Sequence, residues 1–212
     1  MSARRLNKEK LLAGFERLDK ASLIGGCRLL SRPVDVGVLR SEVDAIPQDQ
    51  WTGPAGRVGV HAKADAVFLR GYAPTEGEQK PIEDRAILTA MPYANELIHS
   101  IGAKPLRCVL ARLKAGDSIR SHIDRGPILV RSIRIHVPVI TNDEVEMHCN
   151  GSAYRMKPGE VWVINNGAQH AAHNFHASED RVHLICDYLP ETDLLALVAR
   201  GNRGLGSPLP GV

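Results

Sequence analysis

The sequence predicts a mainly β protein with flanking helices, in the α+β class. Three observations carry this. From residue 105 onward, short apolar runs recur at even spacing. Turn pairs separate them, at Ala115-Gly116, Asn142-Asp143, Asn150-Gly151 and Pro158-Gly159. Before residue 105 the apolar residues instead recur at helical spacing in several places. Short strands without interleaved helices fit a double-sheet jelly roll better than βαβ units.

The elements follow in order. Leu11, Leu12, Phe15 and Leu18 form one stripe, which predicts a helix over Asn7 to Leu18. Val36, Leu39, Val43 and Ile46 predict a second helix over 34–46, stopped by Pro47. Arg57 to Val60 and Ala66 to Leu69 read as short strands, and Ala73 to Lys80 as a polar loop able to move. Ile82 to Ile101 reads as the longest helix, with Pro92 as a kink and Gly102 as its stop. Eight strands are then expected: Leu106–Leu113, Ile119–Ile123, Ser132–Ile140, Val145–Cys149, Ser152–Met156, Val161–Ile164, His170–Asn174 and Val182–Tyr188. Asn150-Gly151 is the strongest hairpin signal, because both positions tolerate positive φ. Glu191 to Ala199 reads as a closing helix, and the Gly- and Pro-rich tail from Gly201 as frayed. Residues 1–104 are thus expected to pack on a core formed by 105–190 and to shape its mouth, with 191–212 as helix and tail.

Composition narrows the function. The chain has 212 residues, 43% of them hydrophobic and 24% charged, as in a globular protein with a full core. A net charge of +3 and 4% aromatic residues leave little with which to bind nucleic acid. No apolar run reaches membrane-spanning length and no secretory leader is evident, so a cytoplasmic location is expected. Cys27, Cys108, Cys149 and Cys186 are widely spaced without a CxxC pair, which argues against a zinc site, and Cys108 and Cys186 lie in apolar strand-like runs that predict reduced core residues. The sequence does not indicate an oligomeric state.

The candidate chemistry starts at His122-Ile123-Asp124. On one strand these two side chains point to the same face, and Arg125-Gly126-Pro127 then breaks the strand at a rim. His170 follows on a later strand, after the turn Asn165-Asn166-Gly167. Two histidines and a carboxylate can cap one face of Fe(II) and leave the opposite face open. His173 and His176 compete for the third position. His170 is favoured because it lies nearest the turn, with Ala171 and Ala172 behind it. Arg181 opens an apolar strand, and its fork can hold a carboxylate bidentately. Arg134 and His136 share one strand face and can form a second anion site or a solvated stripe. Trp51, His61, Arg70 and Tyr72 are candidates to line a mouth, and Arg57 and Arg70 to accept a substrate carboxylate.

Several segments carry a resemblance. They are His122-Ile-Asp124, Arg134-Ile-His136-Val-Pro, Gly159-Glu-Val-Trp-Val-Ile-Asn-Asn166, His170-Ala-Ala-His-Asn174 and Arg181-Val-His-Leu-Ile-Cys-Asp187. From about Arg107 to Leu189 the chain resembles the aspartyl/asparaginyl β-hydroxylase family of Fe(II)- and 2-oxoglutarate-dependent dioxygenases, in its bacterial HxD…H form. The resemblance implies a double-stranded β-helix (cupin-like) core, with iron held by His122, Asp124 and His170. It implies Arg181 on the distal carboxylate of 2-oxoglutarate, and Arg134 and His136 beside a nearer carboxylate of co-substrate or substrate. The implied reaction consumes O2 and 2-oxoglutarate and hydroxylates an amino acid or an amino-acid-derived substrate, peptidyl or carrier-tethered. Two other readings stand beside it: a non-catalytic cupin-like metal-binding or sensor protein, and a zinc hydrolase. The second lacks a glutamate placed as general base.

Overall fold

The computed structural model describes residues 12–51, 59–76 and 81–210. Its strands are β1 (Cys27–Leu30), β2 (Asp65–Arg70), β3 (Pro105–Leu113), β4 (Ser118–His122), β5 (Ile133–Ile140), β6 (Val145–Cys149), β7 (Ser152–Tyr154), β8 (Val161–Ile164), β9 (His170–Asn174), β10 (Arg181–Tyr188) and β11 (Ser207–Pro208). They form two antiparallel sheets, one in the order β1-β8-β5-β10-β3-β2 and the other β11-β7-β6-β9-β4. Neighbours such as β4/β9 and β3/β10 are distant in sequence, as in a jelly roll. The fold is the double-stranded β-helix that the strand pattern and the resemblance predict.

The larger sheet is covered on both faces. Val182, Leu184, Cys186 and Tyr188 of β10 join the main core with Leu39 and Val43 of α2 (Val36–Asp44). Leu97 and Ile98 of α3 (Pro92–His99) and Leu194 and Val198 of α4 (Thr192–Arg200) complete that side. The alternate residues of the same strand, Arg181, Ile185 and Asp187, turn toward the space between the sheets. The polar stripe of β5, Arg134 and His136, is therefore buried and faces this interior rather than solvent. A smaller core includes Leu113, Ile119, Met147 and Trp162.

Local chemistry explains several element ends. Asp35 caps α2 by accepting from Val38 N at 3.1 Å. Glu42 of α2 accepts from Tyr93 N at 2.7 Å and Ala94 N at 2.9 Å, so one helix caps the next. Asn150 (φ 50°) and Gly151 (φ 78°) make the expected hairpin turn between β6 and β7. All four cysteines are buried and free.

Several expectations change. The predicted Ile82–Ile101 helix is two pieces, a 3-10 segment at Ala86–Ala90 and then α3, because Pro92 opens a new helix at its first turn rather than kinking one. Residues 7–11 of the predicted first helix lie outside the described residues, and Phe15 to Asp19 are not helical. Residues 57–58 of an expected strand are likewise outside, and Gly59–His61 form a 3-10 turn. Within the predicted mobile loop, Pro74–Glu76 also form a 3-10 turn, and 77–80 lie outside the described residues. The tail is not frayed throughout. Ser207 and Pro208 pair with β7, Leu209 N donates to Gly151 O at 2.9 Å, and Asn202 bridges Leu29. The strand β1 and the one-turn helix α1 (Lys20–Leu23) were not anticipated.

Candidate metal centre

His122 closes β4 and His170 opens β9, and the two are directly paired across the antiparallel ladder. Cross-strand pairing brings their side chains together. Their rings lie 4.1 Å apart between centroids. Asp124 joins them from the loop after β4. Its Oδ1 lies 3.7 Å from His122 Nε2 and its Oδ2 4.0 Å from His170 Nε2. His61, from the 3-10 turn, also faces this group, with Nε2 at 3.9 Å from Asp124 Oδ1. Among the described residues, His61, His122 and Asp124 form a group that could hold a metal ion, with one ligand atom of each within 4.8 Å of the others. Sequence reasoning placed His61 at a mouth and missed this proximity, because a histidine in an irregular loop carries no register signal.

The hydrogen bonds set the ring tautomers. His122 Nδ1–H donates to Arg120 O at 2.8 Å and His170 Nδ1–H to Ala168 O at 3.0 Å, since a carbonyl can only accept. In the neutral ring this leaves the lone pair on Nε2. His122 Nε2 is buried without a hydrogen-bond partner, an orphaned acceptor suited to a metal ion. Burial lowers the pKa of His170 to about 4, despite the opposing effects of the Ala168 carbonyl and Asp124. It is thus neutral at neutral pH. The donor set of imidazoles and one carboxylate, without thiolate, fits Fe(II).

Asp124 is held from behind. Arg134 Nη1 and Asn166 Nδ2 (3.2 Å) both donate to Oδ2, leaving Oδ1 toward His122 and His61. Burial by itself would raise the Asp124 pKa, but Arg134, His61, His170 and Asn166 outweigh it and hold the carboxyl well below the usual range. Arg134 also grips Asp187, through Nε at 2.8 Å and Nη2 at 3.0 Å. Strand register explains this grip, because Asp187 of β10 sits between Arg134 of β5 and Arg107 of β3. Arg134 was expected beside a small-molecule carboxylate. Each of its three nitrogens instead serves a protein carboxylate. The signal was present, as an aspartate inside the apolar run of β10, but its partner depends on pairing across strands.

Arg181 is 1% exposed, and its Nη2 lies 2.7 Å from His183 Nδ1. His136 Nδ1 lies 3.4 Å from the same nitrogen. Burial first, then the neighbouring arginines, drives His136 well below its usual pKa, and burial with Arg181 does the same to His183. Arg181, His136, Asp124, His122 and His170 all line one cavity of about 320 Å³. That is enough for a small organic acid with part of a substrate. His173 and His176 do not line it. His173 stacks on Phe175, and His176 Nδ1 accepts from Glu179 N at 2.9 Å.

The family model for aspartyl/asparaginyl β-hydroxylases matches residues 38–190. The chain belongs to this family. The aspartyl/asparaginyl β-hydroxylase family makes it a 2-oxoglutarate-dependent hydroxylase, using Fe(II), 2-oxoglutarate and O2. No curated protein matches the sequence. Many solved structures match the fold, and two of them illustrate it. One is a 2OG-Fe(II) oxygenase family oxidoreductase from Burkholderia pseudomallei, 16% identical, with TM-score 0.52, covering 78% of this chain and 85% of that one. The other is a prolyl hydroxylase from Trichoplax adhaerens, in complex with a hypoxia inducible factor oxygen degradation domain peptide fragment. It is 12% identical, with TM-score 0.55, covering 92% of this chain and 97% of that one. No helix among the described residues of this family member is long and apolar enough to cross a membrane.

Proposed function

We propose that this hydroxylase acts on an unactivated C–H bond of an amino acid or amino-acid-derived substrate, peptidyl or carrier-tethered, releasing succinate and CO2. His122, Asp124 and His170 are its metal ligands and Arg181 its anchor for the distal carboxylate of 2-oxoglutarate. The observation that carries this reading is one cavity with two backbone-locked imidazoles and a braced carboxylate on one wall and a buried arginine on another. His170 is preferred to His61 because it is paired to His122 in register on a neighbouring strand, whereas His61 hangs on a single turn. Bound iron supplies O2 activation coupled to decarboxylation of 2-oxoglutarate. The chain's own residues do the rest. Arg134 and Asn166 aim Asp124, the neutral His136 and His183 pack beside Arg181 without adding charge, and apolar Val109, Ile164 and Ile185 exclude water.

The substrate end is cationic. Arg107 and Arg125 line both this cavity and an adjoining groove of about 190 Å³ with Tyr72, Ile82 and Leu129. Arg125 is exposed, and Arg107 Nη2 lies 3.4 Å from Asp187 Oδ2. These two arginines are the candidates for a substrate carboxylate. Arg70, an earlier candidate, is engaged by Asp84 at 2.5 Å and by the carbonyls of Ile82 and Pro105. Arg57 lies outside the described residues.

Anaerobic addition of Fe(II) and 2-oxoglutarate tests the site. A weak visible charge-transfer band is expected in the wild type and in His61→Ala, and its loss in Asp124→Ala and His170→Ala. A band that survives in His170→Ala and vanishes in His61→Ala assigns the third ligand to His61 instead.

A further inference from the structure

Lys20 is a buried lysine outside the stretch that matches the family, at 5% exposure. Its Nζ donates to Asn166 Oδ1 at 2.5 Å and to Leu129 O at 2.6 Å. Asn166 in turn donates through Nδ2 to Asp124 Oδ2 at 3.2 Å, and its own carbonyl accepts from Asp124 N at 3.0 Å. The adjacent Asn165 is tied to the chain just after α1, through Nδ2 to Gly25 O at 2.7 Å and N to Gly26 O at 2.9 Å. The segment that carries Lys20 therefore clamps the turn that holds Asp124.

The chemistry of the three groups gives this chain a direction. An ammonium only donates, so it can bind only the oxygen of the Asn166 amide. With the oxygen taken, the amide must present its NH2 to Asp124, which as a carboxylate only accepts. Without Lys20 the amide oxygen loses this donor, and of the two bonds that fix the amide's orientation the one to Asp124 is left. A buried lysine is costly to desolvate, and a position this deep serves poorly as a generic stabiliser. We propose that Lys20 is a positioning residue for the metal centre, acting through the Asn166 amide to orient Asp124 for metal binding. This rests on Asp124 being a metal ligand.

The test measures Mn(II) affinity of the metal-free protein by calorimetry, with urea unfolding of the same metal-free samples as a control. Lys20→Met should weaken Mn(II) binding by about 10–100-fold, the usual effect of losing a group that orients a ligand. Asn166→Ala should weaken it similarly, and adding Lys20→Met to Asn166→Ala should weaken it no further. Lys20→Met that folds and binds Mn(II) like the wild type overturns the proposal. So do additive losses in the double variant, which would mean that Lys20 acts independently of the amide. If Lys20→Met does not fold, Lys20→Gln in the wild-type and Asn166→Ala backgrounds runs the same cycle. Asp124→Ala separates this from the ligand assignment, because unchanged Mn(II) binding there overturns the metal centre itself.

Discussion

Replacing Arg134 with methionine keeps most of the side-chain stem and removes the guanidinium that three bonds tie to two carboxylates. Those bonds run to Asp187 at 2.8 and 3.0 Å and to Asp124. The three side chains are 9%, 2% and 8% exposed, so water cannot replace the lost partner. Breaking a buried pair by deleting one member costs about 3–5 kcal/mol, because the remaining charge is left uncompensated. Two carboxylates are stranded here. Arg107 near Asp187 and Asn166 on Asp124 offset part of the loss, so the metal-free variant is expected to lose stability within that range. This is a large part of the roughly 5–15 kcal/mol of a typical domain. Urea unfolding of metal-free protein at pH 7.5 reads it.

The pH dependence adds a sign. In the wild type, burial tends to raise Asp187, but Arg134 and Arg107 hold it below its ordinary value. Its contribution is therefore present at neutral pH and lost only as pH falls through that low folded value. In Arg134→Met, burial dominates and raises the carboxyls, so the folded variant takes up protons as pH falls toward 5. The stability gap between the two proteins should narrow from pH 7.5 to pH 5. A gap below about 1 kcal/mol, or one that widens on acidification, would refute the buried-network reasoning.

Arg181→Met should weaken 2-oxoglutarate binding to the Mn(II) protein by about 2–5 kcal/mol; unchanged affinity by calorimetry would mean that another arginine anchors it. His136 and His183 are both pushed well below 6.5, chiefly by burial, so the unfolded chain binds more protons than the folded one just below that pH. The urea midpoint of the metal-free protein should therefore drop between pH 7.5 and pH 5.5, and a flat profile would contradict their burial as neutral rings. A Cβ at Gly26 would collide with the Tyr154 hydroxyl and lie 3.1 Å from Cys149 O. Gly26→Ala should cost about 1–3 kcal/mol in thermal unfolding, partly restored by Tyr154→Phe.

By itself the sequence determined the strands from β3 to β10 and the helices α2 and α4, because alternation, helical stripes and turn residues are local properties. It determined that Asn150-Gly151 turns a hairpin and that His122 ends a strand, although Asp124 reaches the site from the loop beyond that strand rather than from its face. It also carried the pattern by which the family is recognised. Tertiary structure decided what those residues touch. Arg134 read equally as a solvated or a cavity-facing cation, and only the register of β5 against β10 places it between Asp187 and Asp124. His61 and Lys20 reach Asp124 and Asn166 from segments with no periodic signal. The tail looked unstructured until β7 offered it an edge. The physical reason is the same in each case. Side-chain period and turn chemistry act over a few residues, whereas a site between two sheets is assembled by strands and loops more than a hundred residues apart, as Lys20 and Asn166 are. Their meeting depends on the packing of the whole chain.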